Sequence, residues 1–448
     1  MQSIRGMHDI LPEEVKYWQY IYLAAIETFE IASYQEIRTP LLENTALFNR
    51  SIGENTDIIN KEMYTFKDRG NRDLTLRPEG TASIARAVIE HNLCNNHQIQ
   101  RLWYLAPMFR YERPQHGRQR QFHQLGMECI GSYNAIADAE TIYLAQYFLN
   151  KLQCTDYSIE INSIGSINDR SRYKLDLQKY LIPYIDDLDQ ESQTRLFNNT
   201  IRILDSKSQK TQEILNYAPK LINYLEQSTL EHFEEVTDYL DNLQVQYTIN
   251  TKIVRGLDYY NKTAFEIKSP LQGTQDTICG GGRYDNLIEQ IGGPQIPAVG
   301  WAIGIERLLL IAKDQIEIQS QPLYYYIATE GYEAKKYILQ IIPSLQKYQI
   351  KFEIDFTNSN FQKQLKRANR KRAIMCLLIS SYEVENNSIT IKWLQEYQQE
   401  SYYIKGIAEY YLGNWEEAFI SLQNALAFGN DEEELSQLIE EIGVALIE

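Results

Sequence analysis

Apolar residues at helical spacing run through 13–34 (Ile21, Leu23, Ala24, Ile26, Phe29) and predict an opening helix, closed by extended backbone ahead of Pro40. From 74 to 131 the pattern turns to strands, at 74–76, 101–112 and, after a polar turn, 121–130. Helices are expected between and after them, at 82–91 and 137–151. The stretch 169–243 is polar and helix-like, carries no cluster of catalytic type, and reads as an inserted helical domain. Strand signals return at 254–267 and 280–284, followed by a glycine-spaced helix from Gly300. Pro322 opens a unit in which short strands (324–328, 351–354, 374–379) alternate with helical stretches, the pattern of a small α/β domain. Residues 402–448 read as helices again.

Within the strand pair 101–112 and 121–130, side chains two apart share a face. Arg110 and Glu112 point one way on the first strand; Leu105, Phe109 and Tyr111 point the other. On the returning strand Gln124, Gly126 and Glu128 share a face, opposite Leu125, Met127 and Cys129. A solvated sheet face would explain such alternation in an arbitrary hairpin. Here the polar face combines a cation, two carboxylates, an amide and a glycine that leaves room for a ligand. The connecting turn, 113–120, is basic and suited to phosphate.

Composition narrows the function classes. The chain has 448 residues, 44 Lys plus Arg against 60 Asp plus Glu, and a net charge of −16. Its length suggests about three domains. The longest apolar run, 373–379, is far short of the ~18 residues of a membrane span, so no membrane role is expected. The five cysteines form no CxxC pair, which argues against a disulfide framework or a zinc cluster, and no metal ligands are assigned. Residues 1–12 carry acids and lack signal or transit character, so the protein is expected to work where it is made. An acidic chain needs a local basic surface to meet nucleic acid. Residues 359–372 supply six cations (Lys363, Lys366, Arg367, Arg370, Lys371, Arg372) and no acid; a solvated helix face and an RNA contact both fit.

Several motifs now carry a resemblance. Phe109-Arg110-Tyr111-Glu112-Arg113 with Phe122 resembles motif 2 of the class II aminoacyl-tRNA synthetases. With Arg255-Gly256-Leu257-Asp258-Tyr259-Tyr260 the chain resembles the histidyl-tRNA synthetase family. Leu76-Arg77-Pro78-Glu79-Gly80-Thr81 and Gly280-Gly281-Gly282-Arg283-Tyr284-Asp285 also match; 300–307 resembles motif 3 and 37–47 motif 1. The resemblance spans about 2–400. It implies an α+β fold: a class II antiparallel sheet flanked by helices in a catalytic domain (1–321, helical insertion about 169–243). A small α/β anticodon-binding domain (322–400) and a helical extension (401–448) would follow.

The resemblance implies histidine activation with ATP and Mg²⁺, then transfer of histidine to the 3′ end of its tRNA, by a homodimer. Arg110 and Arg255 would be catalytic, holding the α-phosphate from two sides. Glu112, Arg118, Gly304 and Arg307 would meet the rest of the ATP. Glu128, Tyr259 and Tyr260 would meet the imidazole, and Glu79, Thr81 and Gln124 the α-ammonium. Gln115 and Arg118 would reach the tRNA acceptor end, Arg118 alternatively the γ-phosphate, and Lys366, Arg367 and Arg370 the RNA backbone. A catalytically inactive synthetase-like regulatory subunit of histidine biosynthesis is the alternative. Gly300, Gly304 and Arg307 are expected on one helix face.

Two segments depart from the family. Ile379-Ser380-Ser381-Tyr382-Glu383 stands where the family usually has glycine. Beyond about residue 400 the spacing of Leu412, Gly413, Trp415, Ala418, Leu422 and Ala425 resembles half a tetratricopeptide repeat, which suggests a protein partner or docking on the body. The Tyr-, Ile- and Asn-rich composition fits an AT-rich genome, hence a plastid (chloroplast stroma) or bacterial cytoplasm.

Overall fold

The computed structural model describes residues 1–394 except 54–55, 57, 96–97, 116, 255–256, 258, 271–276, 317, 319–324 and 348. Arg255 and the whole 401–448 extension therefore lie outside the described residues. The chain divides into two compact units, Met1–Ile318 and Gln319–Glu448.

In the first unit α1 (Pro12–Ile31), opened by a proline in its first turn, leads to the short strand β1 (Gln35–Glu36). A three-stranded antiparallel sheet follows, from β2 (Leu42–Asn44), β3 (Tyr64–Lys67) and β4 (Asp73–Leu76), with α2 (Thr45–Ile52) between the first two. Next come α3 (Thr81–Glu90), the long hairpin β5 (Gln100–Phe109) and β6 (Gln121–Ile130), α4 (Ala135–Lys151) and β7 (Ser158–Ser163).

The polar stretch that follows holds α5 (Ile167–Leu181), α6 (Gln190–Asn198), α7 (Gln209–Leu215) and α8 (Gln227–Asn242). The helix α8 turns Phe233, Val236 and Leu240 into the same core as α4 and the main sheet. The strands β8 (Thr248–Ile249), β9 (Asn261–Lys268) and β10 (Thr277–Arg283) come next. The unit closes with α9 (Leu287–Gln290), β11 (Ala298–Gly304) and α10 (Ile305–Ala312).

The main sheet runs β1-β5-β6-β11-β10-β9-β7-β8, antiparallel from β5 to β7 and parallel at its two outermost pairs. One face (Trp103, Leu125, Met127, Val299, Trp301, Ile303) is buried against α1 and α4. The other face carries the site.

The expected helix from Gly300 is corrected. Gly300 and Gly304 lie on the strand β11, and Arg307 on the helix that follows. Positions four apart share a face in both geometries, so spacing could not separate them. Central strands also need close backbone approach here: a side chain at Gly281 would stand 2.4 Å from the Gly300 carbonyl. The glycine run Gly280–Gly282 lies within β10, as the strand signal at 280–284 predicts. The first hairpin strand ends at Phe109, so Arg110 and Glu112 stand on irregular chain beyond it.

In the second unit β12 (Tyr325–Thr329) lies between β13 (Phe352–Ile354) and β14 (Met375–Ile379), parallel to both. The strand β15 (Thr390–Trp393) closes the sheet antiparallel to β14. Helices α11 (Tyr332–Lys347), α12 (Phe361–Arg370) and α13 (Ser381–Glu385) complete it, the small α/β arrangement that the alternating pattern predicts.

Candidate active site

Register explains how the site is carved. Across the ladder Tyr104 faces Gly126 and Ala302, while Leu102, Glu128 and Gly300 form the next row and Ala106, Gln124 and Gly304 the row beyond. Each bulky polar residue is set beside a glycine. A Cβ on Gly300 would lie 1.8 Å from Glu128 Oε2, and one on Gly126 would lie 2.5 Å from the Tyr104 ring. A Cβ on Gly80, the residue ahead of α3, would lie 2.4 Å from the same ring. Gly300 is therefore bare for a carboxylate of the protein rather than for a nucleotide.

Above these rows lies a cavity of about 290 Å³. One end is lined by Glu79, Thr81, Tyr104, Gln124, Tyr259 and Tyr260, the other by Arg110, Glu112, Arg118, Phe122, Gly304 and Arg307. All the histidine-site residues expected from the sequence converge here except Glu128, which lies one layer behind the wall. Both Tyr259 and Tyr260 line the cavity, because they precede β9 and are not bound by strand alternation.

Most side chains of the first end are buried. Glu79 is buried and caps α3, its two oxygens accepting the N–H groups of Thr81 (2.8 Å) and Ala82 (2.7 Å). Burial raises its pKa. Glu128 accepts from the Thr81 hydroxyl (2.7 Å) and from the Tyr284 hydroxyl. Burial pushes its pKa up to about 8, with the neighbouring Glu79 charge adding to the rise against those two hydrogen bonds. Among the described residues that line the cavity, three buried polar atoms have no hydrogen-bond partner: the Tyr104 hydroxyl, Gln124 Oε1 and, at the other end, Glu112 Oε2. Orphaned polar atoms at a cavity wall point to a polar ligand. Tyr104 and Tyr284 escape the sequence reading, although the hairpin register puts Tyr104 on the face of Gln124 and Glu128.

The other end gathers cations. Arg110 donates to the Pro78 carbonyl (2.9 Å), lies over the Phe122 ring, and stands 3.8 Å from Glu112. Arg118 pairs with Glu112 at 3.2 Å, and Arg307 donates to the Thr277 carbonyl at 2.6 Å. Burial lowers the Arg307 pKa, and the positive charges of Arg118 and Arg110 lower it further. Three guanidiniums thus converge on one carboxylate. Glu306, next to Arg307, fixes α10 to β6 by accepting the His123 N–H with both oxygens (3.0 and 2.9 Å).

Gln115 and Arg118 form an isolated bridge closing the turn, with Gly117 at φ +73°. Both line a second cleft, of about 490 Å³, together with residues of α1 and α10. Arg118 lines both spaces. In the second unit Arg367 is engaged internally, pairing with Asp355 at 2.7 Å, whereas Lys366 and Arg370 make no ion pair with a described residue. Among the described residues no group of three His, Cys, Asp or Glu side chains could hold a metal ion, and no helix is long and apolar enough to cross a membrane.

The family description "Histidyl-tRNA synthetase" matches residues 6–308, and "Anticodon binding domain" matches 325–413. The chain belongs to the histidyl-tRNA synthetase family. It is 58% identical over 399 residues to the chloroplastic histidine–tRNA ligase of Gracilaria tenuistipitata var. liui, covering 89% of this chain and 95% of that protein. It is 51% identical to the histidine–tRNA ligase of a Cyanothece species, covering 89% and 93%. The apo structure of Staphylococcus aureus histidyl-tRNA synthetase matches with a TM-score of 0.72 at 37% identity, covering 88% of this chain and 95% of that one. The class II synthetase fold expected from the motifs is the fold of this chain.

Proposed function

We propose that the two ends of the cavity divide the work of a histidine–tRNA ligase, an ATP-dependent enzyme of protein biosynthesis. Histidine's carboxylate attacks the α-phosphate of ATP and pyrophosphate leaves; a terminal ribose hydroxyl of the tRNA then attacks the histidyl-adenylate carbonyl and takes the histidyl group as AMP leaves. The observation that carries this reading is the convergence of Arg110, Arg118 and Arg307 on one carboxylate. An excess of positive charge beside a hydroxyl-lined pocket of buried side chains suits a triphosphate next to a small polar amino acid. It also disfavours the inactive regulatory subunit, which has no need to hold triphosphate.

Arg110, braced by the Pro78 carbonyl, presents its guanidinium to the α-phosphate as negative charge builds there. Arg255 would approach the same phosphate from the opposite side, a role that rests on the motif. Arg307 covers the adenine from the start of α10, beside the open space left by Gly304, and Glu112 orients Arg110 and Arg118. Glu79, Thr81 and Gln124 receive the α-ammonium, the orphaned Gln124 oxygen supplying an acceptor. Tyr259 and Tyr260 close over the imidazole. Glu128 takes a ring N–H once the Thr81 hydroxyl gives up its bond.

Mg²⁺ would be held mainly by the nucleotide's own phosphate oxygens, with Glu112 the carboxylate at that end, and it would neutralise charge on the leaving pyrophosphate. Gln115 and Arg118, at the mouth shared with the second cleft, meet the tRNA acceptor end. Lys366 and Arg370 contribute RNA affinity that falls with salt. The half-exposed Leu41 and Leu42 of the motif-1 segment suit a homodimer interface. Plastid and bacterial cytoplasm are the compartments that the red-algal and cyanobacterial relatives favour.

Histidine-dependent ATP–pyrophosphate exchange tests the reading. The intact chain should exchange, and Arg110→Ala should lose roughly 10²- to 10³-fold, the cost of deleting one donor to transition-state charge. Absence of exchange from a folded, histidine-binding protein would overturn it.

A further inference from the structure

Three aromatic side chains of the second unit stand out in water: Phe356 is 90% exposed, Tyr332 78% and Tyr382 66%. Topology brings them to one edge. The strands β13, β12 and β14 are parallel neighbours, so their C-terminal ends share an edge, with neighbouring strands about 4.8 Å apart. Phe356 is two residues past β13, Tyr332 three past β12, and Tyr382 three past β14.

None of the three sits on loose chain. Around Phe356, Asp355 accepts from the Thr357 N–H (2.8 Å) and the Tyr326 hydroxyl (2.7 Å). Arg367 binds Asp355, the Thr357 hydroxyl and the Ser359 hydroxyl. The Glu330 N–H donates to the Ile379 carbonyl (2.9 Å), tying the chain before Tyr332 to the end of β14. Ser380 and Glu383 form a capping box around Tyr382. Leaving three large rings in water on braced backbone gains nothing in folding.

The charge beside the edge is positive on α12 and negative on the loops. Gln364 is buried and stitches α12 to Thr329 and Ser359, which brings the Lys363 end of that cationic helix to the same edge. Glu330 and Glu333 flank Tyr332; carboxylates there can accept from base amino groups but repel phosphate. Rings for stacking, cations for the backbone and acceptors for base edges are the three requirements of unpaired RNA.

We propose that Phe356, Tyr332 and Tyr382 form a stacking platform for unpaired bases of the tRNA anticodon loop. This rests on the ligase reading above, and it assigns to Arg367 a positioning role, holding the Phe356 loop rather than gripping phosphate.

The test uses the full chain with Phe356, Tyr332 and Tyr382 changed to Ala singly and together, and a histidine tRNA transcript carrying 2-aminopurine in the anticodon loop. Each single change should raise the KM for tRNA about tenfold, in line with the stacking of one base, and reduce fluorescence quenching on binding. Phe356→Trp should retain both, and ATP–pyrophosphate exchange should stay at the level of the parent chain. A triple variant that binds, quenches and charges like the parent would overturn the platform. So would a triple variant whose only change is a smaller assembly in sedimentation, which would make the edge a contact between copies. Absence of exchange in the parent chain would count against the ligase reading alone, because quenching by the transcript still decides the surface.

Discussion

The two ends of the catalytic cavity solve opposite problems. At the end proposed for histidine Glu79, Glu128, Tyr104, Tyr259 and Tyr284 are buried, and their acidic groups are pushed toward the neutral form by desolvation. At the end proposed for ATP, Arg110 and Arg118 keep access to water and share a single carboxylate. A pocket that must reject analogues needs fixed, dry groups whose bonds go unmade when the wrong ligand enters. A pocket that must neutralise a triphosphate needs positive charge that a carboxylate balances when the pocket is empty. The first is costly to the fold and selective; the second is cheap and general.

The sharpest way to break this contrast is Glu128→Gln, which keeps size but removes the charge that would take an imidazole N–H. We expect the KM for histidine in the exchange assay to rise on the order of 100-fold, the scale of a lost hydrogen bond to a charged group, with the KM for ATP nearly unchanged. A matching rise for ATP would show that the two ends are not separable. Gly300→Ala comes next. Its Cβ would meet Glu128 Oε2 at 1.8 Å and the Met127 carbonyl at 2.4 Å, so carboxylate and strand must both shift. Thermal melting should fall by several degrees and histidine binding by about tenfold, a size set by the few kcal/mol typical of overpacking. An unchanged melting curve would mean that the β6–β11 register is wrong.

A further test is a pH dependence. The Glu128 carboxyl ionises near 4.5 when unfolded and near 8 in the histidine-free fold. Between those values the folded state holds the extra proton, so this group's contribution to stability falls as pH rises through the window and is level above it. Glu128→Gln has no such proton. The melting temperature of the variant relative to the parent should therefore climb from pH 5 to pH 8 without histidine; a flat difference would show the carboxyl to be ionised already.

Much of this was written in the sequence. The alternation on the hairpin predicted which face carries chemistry, because a central strand has only two faces and one must be apolar. The motif-2 and glycine-rich segments carried the family, and the strands 351–354 and 374–379 were placed to within a residue. Of the residues that the resemblance assigns to histidine, all but the recessed Glu128 line one cavity. What local pattern could not separate was strand from helix at Gly300, Gly304 and Arg307, since four-residue spacing serves both periods.

The sequence by itself determined which residues are chemically equipped: two carboxylates, paired tyrosines, arginines that stay charged. Only the tertiary structure decided which stand beside which. Tyr104 became part of the site because β5 and β6 pair so that it lies under two glycines, and Tyr284 because it reaches Glu128 from 156 residues away. The same holds for Phe356, Tyr332 and Tyr382, which are three unrelated aromatics along the chain and one edge in the folded unit. Pairing register and strand order are long-range outcomes of packing, and no local spacing records them.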